Sequence, residues 1–330
     1  MTGSLRTLLI LAAVIAGAIA LPFLLPDFKI QLALMWVMIV FALTWDLGGG
    51  QMGYNSFGNI VFFGIGAYAC AVVQRDSGLD YYPALFAGLA LAAVLSMAVA
   101  AVLGSGILAL RGQYFAIATL GLGIAAGETA AGWEFIGAGS GLVTPVYPGR
   151  IGERQTFFYF LCAALAIICF LTLRQIYQGR FRLAINAIRD DEDKAEAMGL
   201  RTTVIKTVAW MIAAVFLGLA GGIFGNLNGF IDPRDVAFAG TTFGVWMVLM
   251  AILGGKGTLW GPVIGAVIFH ITQELFWTYL LGWQRVALGL LIVLIVVFFP
   301  LGIMGWVRQR FPAVFGEVLD ETPSTEARPS

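Results

Sequence analysis

Charge is what this chain has least of. Only 12% of its 330 residues are lysine, arginine, aspartate or glutamate, against roughly 25% in an ordinary soluble domain. One histidine, His270, and three cysteines, Cys70, Cys162 and Cys169, all lie in apolar runs. A lone imidazole cannot build a metal cluster, and the thiols show no metal-ligand spacing, so all four read as packing residues. Basic and acidic side chains balance at 19 each with no basic stripe, so no nucleic acid partner is expected. A glycine loop closing on Lys-Ser/Thr, an HExxH pair and a GxSxG elbow are all missing. The chain is therefore expected not to be an enzyme and to bind no cofactor, and any nucleotide chemistry belongs to another protein.

What it has in abundance is apolar sequence in long uncharged runs. Hydrophobic residues make up 60%, and the mean hydropathy is +0.90. A soluble core of this size leaves too much wetted surface to hide that composition. A membrane span needs about 20 mostly apolar helical residues. Cutting the chain at its charges leaves runs at 7–26, 30–45, 47–74, 81–110, 112–127, 155–173, 207–231, 236–255, 257–273 and 286–307. The expected fold is an all-α polytopic transmembrane bundle in the lipid bilayer, with about eight to ten spans, some of them broken or re-entrant. The first run follows Arg6, is long for a signal peptide and lacks a cleavage site, so it reads as a retained helix. The membrane domain is expected over 1–310, with connections at 128–154 and 174–206. The tail 311–330, rich in Pro, Thr, Ser and Glu, reads as disordered.

Basic residues favour the cytoplasmic side. With the N-terminus inside and every run crossing, 13 lysines and arginines fall inside and six outside. Both termini are expected in the cytoplasm, and 128–154 faces outward.

Four places invite function. The stretch 48–68, GGGQMGYNSFGNIVFFGIGAY, sets Gln51, Asn55, Ser56, Asn59 and Tyr68 among glycines. Irregular backbone in a membrane is tolerated only where protein buries it or water reaches it. A broken helix beside a solute path and a plain turn before a glycine-rich helix both fit. The connection 174–206 carries seven basic residues and five acidic ones. Residues 184–198 can form one amphipathic helix with Gly199 as its C-cap. It reads either as a helix docked on a partner or as a solvated loop. The connection 128–154, with Trp133 and Phe135, either meets an outer partner or caps the bundle. Asp46, Glu128 and Glu274 cut runs near their ends, without the central carboxylate pair a proton-driven carrier often uses. Glycines at 221, 225 and 229, at 261 and 265, and at 123 and 127 repeat every four residues. That spacing suits close helix packing or sliding faces.

Three segments carry a family resemblance. They are ALTWDLGGGQMGYNSFGNIVFFGIGAYACA at 42–71, GRFRLAINAIRDDEDKAEAMGLRTTVIKTVAWMIAAVFLGLAGGIFG at 179–225, and MAILGGKGTLWGPVIGAVIF at 250–269. In this order and spacing they resemble the LivM-like permease subunits of the branched-chain (hydrophobic) amino acid ABC transporters. The resemblance implies a permease of a bacterial inner-membrane importer that moves small amino acids inward by alternating access. It also implies partners: a second, LivH-like permease, two cytoplasmic ATPase subunits that bind ATP and Mg, and a periplasmic substrate-binding protein. Residues 195–199 match the family's ATPase contact, so Arg189, Asp190, Asp191, Glu192, Asp193, Lys194, Glu196 and Gly199 become coupling candidates. Gln51, Asn55, Ser56, Asn59 and Tyr68 become translocation-path candidates. Many relatives carry histidine where this chain has Asn59, which hydrogen-bonds but does not titrate near neutrality. The same fold serves urea and short-chain amide importers, so the substrate stays open. The rival from another class is a stand-alone ion-coupled carrier.

Overall fold

The computed structural model describes residues 14–280, residues 302–310 and isolated positions between 282 and 293. The expected tail, half of the last run and the start of the first lie outside the described residues. Helix α1 is seen over Val14–Leu24. After it come α2 (Lys29–Gly49), α3 (Ile60–Asp76), α4 (Tyr81–Ile107), α5 (Gly112–Gly132) and α6 (Ile151–Gln178). Two short helices, α7 (Arg180–Asp190) and α8 (Glu192–Ala197), precede α9 (Thr202–Asn228), α10 (Val245–Gly254), α11 (Gly261–Tyr279) and α12 (Gly302–Arg310). The expected polytopic helical bundle is what the chain forms. Among the described residues six stretches are long and apolar enough to cross a membrane by themselves: α2 with the turn before it, α4, α5, α6, α9 and Pro233–Gly254.

Three run boundaries move, each for a physical reason. The run 47–74 is no single span. Helix α2 continues through Asp46 to Gly49, and α3 starts only at Ile60. Helix α5 continues past Glu128, whose carboxylate pairs with Arg234 at 2.7 Å in the exposed rim. The charged connection shrinks to 179–201, because α6 keeps Arg174 and α9 begins at Thr202. Glu128 sits inside a helix because Arg234 receives it at the rim, and Asp46 because its buried carboxylate accepts from the Gly257 N–H. The run 236–255 opens with two π-helical turns, Pro233–Ala237 and Gly240–Gly244, before α10. This is the broken span among the described residues.

Helices α2 and α9 are the most enclosed of these stretches, whereas α4 and α5 leave most of their surface outward. Helices α3, α4 and α9 pack on one another, and α2 lies against α6, α9, α10 and α11. Small residues set the closest approach. A methyl group added at Gly221 would collide with the Phe63 carbonyl, and one at Gly66 with the Gly218 carbonyl. The backbones of α3 and α9 therefore touch directly, the packing that lipid favours where water cannot drive association. Gly229 does not continue that face. It closes α9 at a φ of +86°, a conformation that favours glycine.

The connection after α5 departs from the all-α expectation. Its Leu142–Val143 strand (β1) pairs antiparallel with Phe230–Ile231 (β2), so this segment laces across the end of the bundle. The bundle thus has two dissimilar ends. One holds this ribbon with Arg75, Arg150 and Arg234. The other holds α7, α8 and the turns at 50–59 and 255–260.

Gly221→Val should lower the thermal midpoint of the purified protein, since overpacking costs about 1–3 kcal/mol. Gly121→Val, where an added methyl meets nothing within 4 Å, should leave it unchanged. Scanning calorimetry or tryptophan-fluorescence melts of both variants check the pair.

Candidate functional site at the charged elbow

The elbow is two helices where its pattern predicts one. Asp191 breaks the run in an extended conformation, and its carboxylate accepts from the Lys194 N–H at 3.0 Å. Aspartate is a strong N-cap, and the acidic residues that follow suit a helix N-terminus. Gly199 ends α8 as expected. Its φ is +88°, and the Leu200 N–H reaches back to the Ala195 carbonyl at 3.1 Å. Ile185, Ile188 and Ala195 are buried against the bundle. On the other side Leu183 is 72% exposed and Met198 86%. The tip of the elbow is therefore apolar, with charges around it.

Beneath the elbow lies a buried ion pair. Lys206 stands in the first turns of α9, and its side chain is 1% exposed. Its ammonium has three protons to donate, and all three find acceptors. They go to Glu192 Oε1 at 2.6 Å, the Leu108 carbonyl at 2.6 Å and the Tyr54 hydroxyl at 2.9 Å. Tyr54 in turn donates to Glu192 Oε2, and its ring lies 4.6 Å from the ammonium. Arg111 reaches Glu192 at 3.3 Å and Asp193 at 2.6 Å. One knot thus joins the turn after α2, the end of α4, the start of α5, α8 and α9. Burial by itself would raise the Glu192 carboxyl. The bonds from Lys206 and Tyr54, with the charges of Lys206 and Arg111, outweigh burial and hold it below the ordinary glutamate value. The Tyr54 hydroxyl is pushed up, first by burial and then by the neighbouring carboxylate. Both groups keep their neutral-pH forms, carboxylate and phenol.

The other coupling candidates mostly serve the elbow itself. Arg189 pairs with Asp190 and Lys194 with Asp191. Glu196 accepts a hydrogen bond from the Thr202 hydroxyl. Lys206, Tyr54 and Arg111 were not singled out by the sequence reading. The available signal was a lone lysine four residues into an apolar helix, a position that demands a partner.

The path candidates do not form one surface. The stretch 50–59 is a mostly buried turn at the elbow end, exposed at Gly53 and Asn55. A methyl group at Gly53 would lie 3.3 Å from Arg189 Cγ. Gln51 donates to the Gly257 carbonyl at 2.8 Å, while Asp46 accepts from the Gly257 N–H at 2.6 Å. Two of the resembling segments thereby clamp each other. Asn59 accepts from the Trp210 indole at 3.0 Å. Ser56 and Asn59 line one closed void of about 10 Å³, room for about one water. Asn55 is exposed on the turn. Tyr68 lies far away on α3, stacked on Phe238. Among the described residues no three His, Cys, Asp or Glu side chains group as metal ligands.

Glu192→Gln should destabilise the protein by about 3–5 kcal/mol, because it strands a buried cation. Adding Lys206→Met should recover much of that loss, and a double-mutant cycle on denaturation midpoints measures the coupling. The pH dependence has a fixed sign. A carboxyl held low when folded stabilises above its unfolded value, about pH 4.3, and loses that contribution as pH falls through the lower folded value. Melting of Glu192→Gln relative to wild type should therefore show a constant gap from pH 6 to 8 that closes in acid.

Residues 29–298 match the family described as the permease component of the branched-chain amino acid transport system. The high-affinity branched-chain amino acid permease protein LivM of Salmonella typhimurium is 27% identical, over 95% of this chain and 78% of its own length. LivM of Escherichia coli is 26% identical, over 92% and 76%. LivH of Escherichia coli is 26% identical over a shorter stretch, 47% of this chain and 52% of its own. No solved structure matches. The helical bundle, the clamped segments and the match over most of the chain make it a member of the branched-chain amino acid transport permease family.

Proposed function

We propose that this chain is one of two permeases of an ATP-driven importer and moves aliphatic amino acids into the cytoplasm. Its similarity to the branched-chain amino acid permease proteins LivM supports the substrate class. The second permease is LivH-like, two ATPases bind at the elbow, and an extracytoplasmic binding protein delivers substrate at the ribbon end. The arginine and lysine asymmetry supports an inner-membrane orientation with the elbow and both termini in the cytoplasm.

One observation carries the reading: the elbow is wired to the bundle through a buried, fully bonded ion pair. A solvated loop has no reason to bury a lysine and a glutamate this way, since desolvating both is costly. A lever has a reason, because force on its apolar tip must reach the spans. Closure of the ATPases would push Met198 and Leu183. Glu192 and Lys206 then carry the push into α9, and Tyr54 carries it into the α2–α3 turn. Helix α9 packs on α3 and α4, so its tilt changes the bundle's access. The path itself runs between the two permeases, with the 51–68 segment near it.

The test is uptake by proteoliposomes holding both permeases and both ATPases, with binding protein outside and ATP inside. Labelled leucine should accumulate with ATP and not with a sodium or proton gradient alone. Urea should not compete. Gradient-driven uptake without the ATPases would overturn the reading. Orientation has its own test. In cells, Met198→Cys should react with maleimide only from the cytoplasmic side, and Val146→Cys only from outside.

A further inference from the structure

The half of the bundle away from the elbow holds a groove that the coupling mechanism does not use. It lies between the α1–α2 corner and α11, is open on one side and has a volume of about 690 Å³. Its walls are mainly aliphatic, with Leu25, Leu32, Met35 and Ile271 among them. Five polar side chains interrupt them: Gln31, His270, Glu274, Thr278, whose hydroxyl is committed to the Glu274 backbone carbonyl, and Tyr279, which is mostly exposed. His270 is 4% exposed, and its Nε2 sits 2.8 Å from the Gln31 carbonyl. A carbonyl only accepts, so Nε2 carries the proton and Nδ1 presents a lone pair. That Nδ1 has no partner, and neither has Gln31 Oε1. Glu274 stands one helical turn beyond His270 on the same face. Among the described residues its carboxylate meets no cation.

The set is one-sided. It comprises one carboxylate and two unpartnered acceptors in an aliphatic wall. Bare charge at membrane depth is costly and is kept where something pairs with it. The complement is a group that is cationic, rich in N–H donors and attached to an aliphatic body. We infer that this groove is a transit subsite for the substrate's ammonium group. Glu274 is its anion, Gln31 and His270 back it, and the aliphatic wall takes the branched side chain. The inference rests on the importer reading above and sharpens it. Neutral urea offers neither the charge nor the aliphatic body. The free amino acid's carboxylate would face away from Glu274.

The complete importer in proteoliposomes tests this. Glu274→Gln should raise the KM for leucine uptake about tenfold to a hundredfold, the loss expected for a charge-assisted bond. Glu274→Asp, which keeps the carboxylate, should stay near wild type. A second measurement keeps the native carboxylate. Thr278→Cys, on the groove wall, is labelled with a maleimide in the assembled complex without binding protein. Leucine should slow labelling, whereas 4-methylpentanoate, which lacks the ammonium group, should not. Wild-type KM in Glu274→Gln would overturn the subsite, as would equal protection by both compounds. So would protection that is already complete without leucine, the mark of a lipid or a neighbouring chain in the groove. If Glu274→Gln fails to assemble, the labelling result decides. Absence of ATP-driven leucine uptake by the wild-type complex would instead strike the importer reading and leave the groove chemistry standing.

Discussion

An ammonium group placed where water cannot reach must have its protons accepted by the protein, or the fold does not keep it. Lys206 meets that demand with a carboxylate, a carbonyl and a phenol drawn from three different parts of the chain. The arrangement of the elbow end follows from this. Glu192 is turned inward, so α8 must start beside α9. Tyr54 is held under α8, so the turn after α2 is mostly buried although it has no regular structure. Leu108 supplies an otherwise free carbonyl at the end of α4. Stability alone does not call for such a knot, since buried ion pairs are often no better than well-packed hydrocarbon. What ions add is a demand for one geometry, and a lever needs one geometry.

A second clamp lies beside the first. Asp46 and Gln51 hold the Gly257 backbone from both sides, fixing the turn between α10 and α11 to the end of α2. In the proposed coupling, motion entering at α8 would meet two rigid joints. One leads through α9 to α3 and α4, and the other through α2 to α10 and α11. Close backbone contact at Gly66, Gly218 and Gly221 makes α3 follow α9. The elbow end is stiff by construction, and the freedom an alternating-access device needs must lie elsewhere. The π-helical turns before α10 break the regular hydrogen-bond ladder in a way often found at functional sites.

Much of this was legible in the residues. Uncharged runs announced the bundle because lipid permits few alternatives. Gly199 announced a helix end, and the structure has one. The charged connection stood out, though its inner boundary did not. Lys206 looked like the edge of a loop, because one-dimensional counting assigns a lysine to water. Only the fold brings Glu192, Leu108 and Tyr54 around it, from 14, 98 and 152 residues away in sequence. Asp191 hid its role for a related reason. An acidic run inside an amphipathic pattern reads as helix surface until one carboxylate turns back to cap. The 51–59 polar residues were visible as unusual. Their use as clamps depends on Gly257 and Trp210, which no local pattern reveals.

The central claim is that the elbow and the bundle move as one body. Spin labels at exposed Met198 on the elbow and exposed Ser105 near the end of α4 measure it, by pulsed electron resonance on the full complex with and without ATP. The account predicts the same distance distribution in both states, while labels spanning the two permeases shift. A change of several ångströms between 198 and 105 during intact transport would contradict it.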